Sequence, residues 1–208
     1  RDRRNERLLE WLRQDQDSHR IVWLPGAPMA SVRWPQGSAS SSTIIQSVRR
    51  PGDQVVLPDE TPVTYDPQTN RLWLWHEHEE LRARNIADFN DVVRVPWRRT
   101  PGDDLLDYPY VVPSAGLSWA VLTNGSVVMH SLQDGASVAR YDLDVRRPWA
   151  AALSPDGKRF IWGGQSTELF WLDLTTGERR SLRGHFYDVA SIAFSPDGKW
   201  FVTGGADG

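Results

Sequence analysis

Three kinds of residue pattern in this 208-residue chain could do chemistry. Gly116-Leu117-Ser118-Trp119-Ala120 approaches the Gly-x-Ser-x-Gly pattern, in which a sharp strand-to-helix turn lifts a serine hydroxyl out of a sheet. Ala120 replaces the last glycine, which that turn needs for close packing, and a second strand pattern follows where a helix should. Ser118 is therefore read as a strand residue rather than a nucleophile. His76-Glu77-His78 puts two imidazoles on one side of a strand, where they could ligate zinc or nickel with Glu80 as a third donor. No distal ligand is recognisable, so a solvated strand edge is preferred. The arginine pairs Arg49-Arg50, Arg98-Arg99 and Arg146-Arg147 recur at spacings of 49 and 48 residues, each ahead of an inner strand. Loops emerging on one face would gather them into a basic arc for an acidic peptide, a phosphorylated tail or a nucleotide. The plainer reading neutralises them with Asp53, Asp103, Asp104 and Asp144. Asn124-Gly125-Ser126 matches a glycosylation sequon and is read as a hairpin turn. Phosphate-cradling loops, dinucleotide fingerprints and cysteine pairs are missing from the sequence, so no cofactor, no metal and no catalysis are expected.

A net charge of −3 and a pI near 6.0 give no general attraction to nucleic acid or an anionic membrane. Mean hydropathy of −0.51, with no run of about 18 apolar residues, argues against a membrane-spanning helix. Zero cysteines exclude disulfides. With no secretory leader visible, a cytoplasmic location is expected. The chain opens on Arg1 and stops inside a repeat, so both ends are expected to be cuts through a longer polypeptide. Eleven tryptophans, spread from Trp11 to Trp200, read as filling between sheets rather than as an aromatic ligand cage.

These side chains must be positioned by short strands. Ala152-Leu153-Ser154-Pro155-Asp156-Gly157-Lys158-Arg159-Phe160-Ile161-Trp162-Gly163-Gly164 matches Ala193 to Gly205 at nine of thirteen positions, offset by 41 residues. Pro, Gly and Asp recur too often for three-turn helices. In the shared Ser-Pro-Asp-Gly turn, Pro presets φ, Asp accepts local backbone bonds and Gly takes a positive φ. One complete unit should run Trp149–Leu153, Arg159–Trp162, Glu168–Leu172 and Arg179–Leu182, and the next should begin with Val189–Phe194 and Lys199–Thr203. On Val189–Phe194, Ala190, Ile192 and Phe194 should share one face and Val189, Ser191 and Ala193 the other. Four hairpin-linked strands in about 40 residues make one blade of a β-propeller. Upstream, strands are expected at Ser118–Leu122, Val127–Ser131 and Arg71–His76. The whole reads as an all-β propeller of four-stranded antiparallel blades, about four covered and the last unfinished, with further strands at Arg20–Leu24 and Ser31–Trp34. Residues 1–19 are assigned to an N-terminal helix and linker, Leu8, Trp11 and Leu12 forming its apolar stripe, and residues 20–208 to the propeller.

The final segment, from Gly184-His185 through the Ser-Pro-Asp-Gly turn to Ala206-Asp207-Gly208, resembles the WD-repeat family, whose repeats span about 40 to 45 residues. The likeness is specific over residues 147–208. It implies a structural hydrogen-bonded set of His185, Thr203 and Asp207, in which the imidazole locks the turn between blades rather than acting in a catalytic triad. The preceding unit departs from the pattern: Asp144 stands at the histidine position, Trp162 at the hydroxyl position, Ser166 near the aspartate position and Leu172-Asp173 at the Trp-Asp position. That unit should hold its shape by packing. The resemblance implies a non-enzymatic interaction or sensor scaffold of bacterial type, gating an attached NTPase or effector in a larger signalling or defence protein. Its partner, a protein or an acidic or phosphorylated peptide, would touch Arg146, Arg147, Gln165, Phe186, Tyr187, Asp188 and Ala206, with Arg98 and Arg99 added by the arginine pairs. The Glu168–Leu174 strand and its Thr-Gly-Glu turn also resemble TolB-like and prolyl-oligopeptidase propellers, which gives the alternative of an accessory propeller gating a hydrolase.

Overall fold

The computed structural model describes residues 21–23, 28–33, 42–47, 54–76, 79–90, 92–106, 109–143, 148–164 and 167–207. The helix expected over Arg3 to Gln16 lies outside these residues. So do Arg49, Arg50, Glu77, His78, Asp144, Arg146, Arg147, Gln165 and Ser166. The chain divides into two compact units, residues 1–97 and 98–208.

In the first unit, β1 (Ile21–Trp23), β2 (Pro28–Arg33), β3 (Ser42–Ser47) and β4 (Gln54–Pro58) form one antiparallel meander. A second follows as β5 (Glu60–Asp66), β6 (Arg71–His76), β7 (Glu80–Asn85) and β8 (Val92–Pro96). Asp59 alone joins β4 to β5, at a left-handed φ of 57°. Strand β6 is covered on both faces, which explains its unbroken apolar run. Leu72 and Leu74 pack with Ile45 and Leu57 of the first sheet, while Trp75 meets Trp97 edge-on at 5.7 Å. The strands expected at Arg20–Leu24 and Ser31–Trp34 are thus the first half of a sheet of their own.

The second unit holds β9 (Tyr110–Val112), β10 (Leu117–Val121), β11 (Ser126–Ser131) and β12 (Ser137–Asp142) as one sheet. The next comprises β13 (Ala150–Leu153), β14 (Arg159–Gly163), β15 (Glu168–Asp173) and β16 (Arg179–Arg183). A two-stranded sheet, β17 (Val189–Phe194) and β18 (Phe201–Gly205), comes last among the described residues. These are the antiparallel meanders of propeller blades, four of them four-stranded. Strand β18 starts two residues later than expected, because the amides of Lys199 and Trp200 bond to the side chains of Asp197 and Ser195 rather than to the ladder. The faces of β17 also differ from strict alternation. A bulge between Val189 and Ser191 puts Val189 on the side of Ile192 and Phe194, against Ile161 and Leu169, and leaves Ala190 exposed.

An aromatic relay crosses the interface between the two complete sheets of this unit. Tyr110 stacks on Trp119 at 4.4 Å and Trp119 meets Phe160 edge-on at 5.0 Å. Phe160 then neighbours Trp162 at 5.8 Å, and Trp162 stacks with Phe170 at 5.5 Å. Five tryptophans are buried here or in the first unit (Trp73, Trp75, Trp97, Trp119 and Trp162), so most of the described ones are packing elements.

On β11, His130 is also buried, with Nδ1 3.1 Å from the Gly135 carbonyl. Burial pushes its pKa below 6.5, against the opposing pull of the Gly135 carbonyl and the Asp103 charge. A histidine depressed in the fold leaves stability whole above its unfolded pKa of about 6.5. Stability then falls with pH below that value, as the unfolded chain takes up the proton first. The urea midpoint of the protein should drop as the pH falls below about 6.5, and His130→Gln should flatten that part of the profile. An unchanged slope in the variant would assign the acid sensitivity elsewhere.

Candidate functional site

The two ends of the sheets in the second unit are built differently. At one end lie the Ser-Pro-Asp-Gly turns, and the structure repeats their bonding. Gly157 N–H donates to the Ser154 carbonyl and Gly198 N–H to that of Ser195, each at 2.9 Å. Asp156 accepts from Lys158 N–H, and Asp197 from Lys199 N–H, each at 3.1 Å. Both glycines have positive φ, 69° and 67°. The turn Pro113–Ala115 takes the same place in the sheet before, closed by Gly116 at φ 65°. The turns also rest on one another: the Ser114 hydroxyl donates to the Pro155 carbonyl at 2.7 Å, and a Cβ on Gly157 would lie 3.0 Å from that of Ala115.

At the other end, the loop from β16 to β17 carries Gly184-His185-Phe186-Tyr187-Asp188. The structure brings His185, Thr203 and Asp207 together. His185 Nδ1 lies 2.9 and 3.0 Å from the two Asp207 oxygens, and Nε2 lies 2.8 Å from Thr203 Oγ1. An ionised carboxylate only accepts, so Nδ1 carries the proton and Nε2 accepts from the threonine hydroxyl. Asp207 also accepts from the Phe186 amide at 2.8 Å. The imidazole first, then this amide, holds its carboxyl below the usual carboxylate range. Two further bonds hold the loop's far side: Ala206 N–H to the Asp188 carbonyl at 3.1 Å, and Val189 N–H to the Gly164 carbonyl at 3.2 Å.

Glycine is required beside this cluster. A Cβ on Gly205 would sit 2.6 Å from Asp207 Oδ1, 2.8 Å from His185 Nδ1 and 3.0 Å from the Asp188 carbonyl oxygen. Gly205→Ala should therefore cost about 1–3 kcal/mol by overpacking, read as a lower melting temperature, and should shift the His185 ring resonances. A variant with native melting and native ring shifts would contradict this geometry.

Residues 177–208 match the family model described as WD domain, G-beta repeat. The chain carries a WD repeat. No curated protein matches the chain. The WD-repeat match begins in the turn before β16 and runs through β18, so it takes in the whole His185–Thr203–Asp207 cluster. In the sheet before it, Trp162 occupies the position of Thr203. It is buried between Phe160 and Phe170, and its indole N–H has no hydrogen-bond partner among the described residues. An aromatic plug stands there instead of a polar cluster.

Of the other singled-out residues, Phe186 is 82 % and Tyr187 64 % exposed, Asp188 is half-buried, and Ala206 is exposed. Arg98 and Arg99 are exposed. Asp134, in the β11–β12 turn, is held low mainly by the Ala136 amide and the Ser131 hydroxyl, with a further contribution from the Arg98 charge. That turn lies at the Ser-Pro-Asp-Gly end of its sheet, since Leu132 N–H bonds to the Gly116 carbonyl. Ser118 is buried in mid-strand, and its hydroxyl faces the His130 carbonyl at 3.5 Å, which is not the setting of an exposed nucleophile. Among the described residues no group of His, Asp and Glu is placed to hold a metal ion. No described helix is long and apolar enough to cross a membrane. Trp149 escaped sequence reasoning. It precedes β13, is 52 % exposed, and donates its backbone N–H to the Gly163 carbonyl. The sequence reading makes it the first residue of the inner strand, whereas β13 begins at Ala150 and leaves Trp149 at the strand entry.

Proposed function

We propose that this chain is a non-catalytic recognition scaffold whose partner contacts lie at the loop end carrying Phe186, Tyr187, Asp188 and Ala206. One observation carries the reading. The β16–β17 loop is pinned on both sides by hydrogen bonds, yet it turns two large aromatic side chains to solvent. A loop ordered before binding loses little entropy when a partner arrives, and exposed aromatics on such a loop are the residue types that dominate interface energies. In this reading His185, Thr203 and Asp207 are a structural lock that holds the loop and take no part in chemistry. The WD repeat and the blade-like sheets support a protein partner in general.

The protein is further proposed to act as a cytoplasmic sensor regulating an attached effector or NTPase domain. An acidic or phosphorylated partner would use Arg146, Arg147 and Gln165 together with Arg98 and Arg99, of which Arg98, acting on Asp134 at the Ser-Pro-Asp-Gly end, would be met away from the loop end. The test combines affinity purification with binding measured on the recovered partner. Phe186→Ala with Tyr187→Ala should abolish capture while leaving the melting temperature within about 1 °C, because both side chains are exposed. Full retention of the partner by the double variant would sink the loop-end reading. Undiminished binding after charge reversal at Arg98, Arg99, Arg146 and Arg147 would remove the acidic-partner version alone.

A further inference from the structure

The loop end of the second unit has a chemistry of its own. Strands β13 and β17 are the inner strands of adjacent sheets: Gly163 of β14, paired with Ala150 of β13, lies so close to Val189 of β17 that a Cβ on it would stand 3.0 Å from that of Val189. Trp149 N–H bonds the Gly163 carbonyl and Val189 N–H the Gly164 carbonyl, so both strands enter from the same end, with Trp149 ahead of β13 and Phe186 and Tyr187 ahead of β17. Three aromatic side chains, each more than half exposed, thus crown two neighbouring sheets.

Charged groups described beside these two strand entries include Glu168, Arg183, Asp188 and Asp207, the last paired with His185. Arg183 is tied to Glu168 at 2.9 Å, so its charge is matched. Asp207 gives both oxygens to His185 and Phe186 but keeps its charge. Asp188 uses its backbone carbonyl within the fold. The described balance is therefore negative, and Arg98 acts on Asp134 at the opposite end of its sheet. Aromatic faces beside carboxylates attract a cation through the ring quadrupole and by direct charge.

We propose that this end receives a lysine or arginine side chain presented by an extended partner peptide that crosses from Trp149 to Tyr187. The inference rests on the loop-end reading and names the chemistry of its partner. Packed sheets lie about 10 Å apart, which about three residues of extended chain span at roughly 3.3 Å each. The cationic residue sits between Trp149 and Tyr187, and a flanking residue covers Phe186. Arg146 and Arg147, which precede Trp149 in sequence, would favour the opposite charge, so an acidic peptide is the competing arm of the test.

The experiment titrates the 208-residue protein with three fluorescein-labelled, end-capped peptides, read by fluorescence anisotropy. They are Gly-Leu-Ala-Arg-Ala-Leu-Gly and its counterparts with alanine or glutamate at the centre. The arginine peptide should bind about 3- to 30-fold tighter than the alanine peptide, the range a desolvated cation–aromatic contact supplies, and the glutamate peptide should bind weakest. Trp149→Ala and Tyr187→Ala should each erase most of that preference, and Asp188→Asn should reduce it, with circular dichroism unchanged. Equal binding of the arginine and alanine peptides, tighter binding of the glutamate peptide, or no binding by any of them overturns the inference. If all three peptides bind and all are weakened alike by Phe186→Ala, the loop-end reading stands without the cation. If peptides bind and none of these substitutions matters, both readings fall.

Discussion

Phe160→Ala is expected to destabilise the second unit by about 3–5 kcal/mol, the range for truncating a fully buried aromatic. Phe160 has no exposed surface and forms the hinge of the aromatic relay, touching Trp119 of one sheet and Trp162 of its own. Truncation removes its own transfer free energy. It also opens a cavity between two rigid indoles that cannot collapse without leaving their strands. The loss is a large fraction of the roughly 5–15 kcal/mol that separates folded from unfolded domains. Chemical denaturation followed by tryptophan fluorescence should show it as a lower midpoint. Val138→Ala, on the exposed outer strand β12, should change stability by no more than about 0.5 kcal/mol. Equal midpoints for the two variants would mean that the relay is not what joins these sheets.

The second large effect belongs to the first unit, where Glu60 is buried to 1 % exposure at the start of β5. It reaches across the sheet to two arginines of β7: Arg82 donates to it at 3.0 Å and Arg84 at 2.7 Å. Arg84 also donates to the Phe89 carbonyl at 2.8 Å, in a residue held at a left-handed φ of 59°. Arg82 and Arg94 share Glu80. Removing Glu60 takes the carboxylate from the Arg84 guanidinium in a largely closed space, while Arg82 keeps Glu80. Glu60→Ala should cost about 3–5 kcal/mol, because an uncompensated buried charge is the expensive outcome. Replacing Glu60, Arg82 and Arg84 together by Leu, Met and Met should restore much of that loss, since the desolvation penalty disappears with the charges. Urea midpoints of the single and triple variants decide it. A triple variant weaker than the sum of its parts would mean that the ions contribute net stability. The exposed Arg180–Glu178 pair is the control, and Glu178→Ala should cost no more than about 1 kcal/mol.

The sequence made some of this structure legible for definite reasons. The 41-residue echo located β13 to β18 closely because its turn has a fixed chemistry, and the turn bonds of Asp156 and Asp197 follow that chemistry. The grouping of His185, Thr203 and Asp207 was legible only through the family pattern, since nothing in their spacing points to a shared location. The faces of β17 were not readable, because a bulge breaks period two without a residue signature. The Glu60 cluster was missed for a related reason. Glu60, Arg82 and Arg84 stand on strands separated by β6, and only the register Glu60–His76–Glu80 brings them onto one face. Arg98 and Arg99 were placed just ahead of an inner strand, but residues 104–106 intervene and pair with Val121, Leu122 and Thr123 before β9 begins. A long non-repeating connection leaves no periodic trace.

The stacked turns of the second unit bear on how such a chain can lengthen. Ser114 and Ala115 meet Pro155 and Gly157, and Pro155 in turn lies 3.5 Å from where a Cβ on Gly198 would stand. Each turn therefore presents the surface on which the next one seats, and the same tetrapeptide serves as both socket and plug. A tandem copy of one unit would arrive with its docking geometry already solved, before its outer strands or its opposite loops had adapted to anything. Growth by duplication is then limited by the loops, which must find new work, and not by the joint.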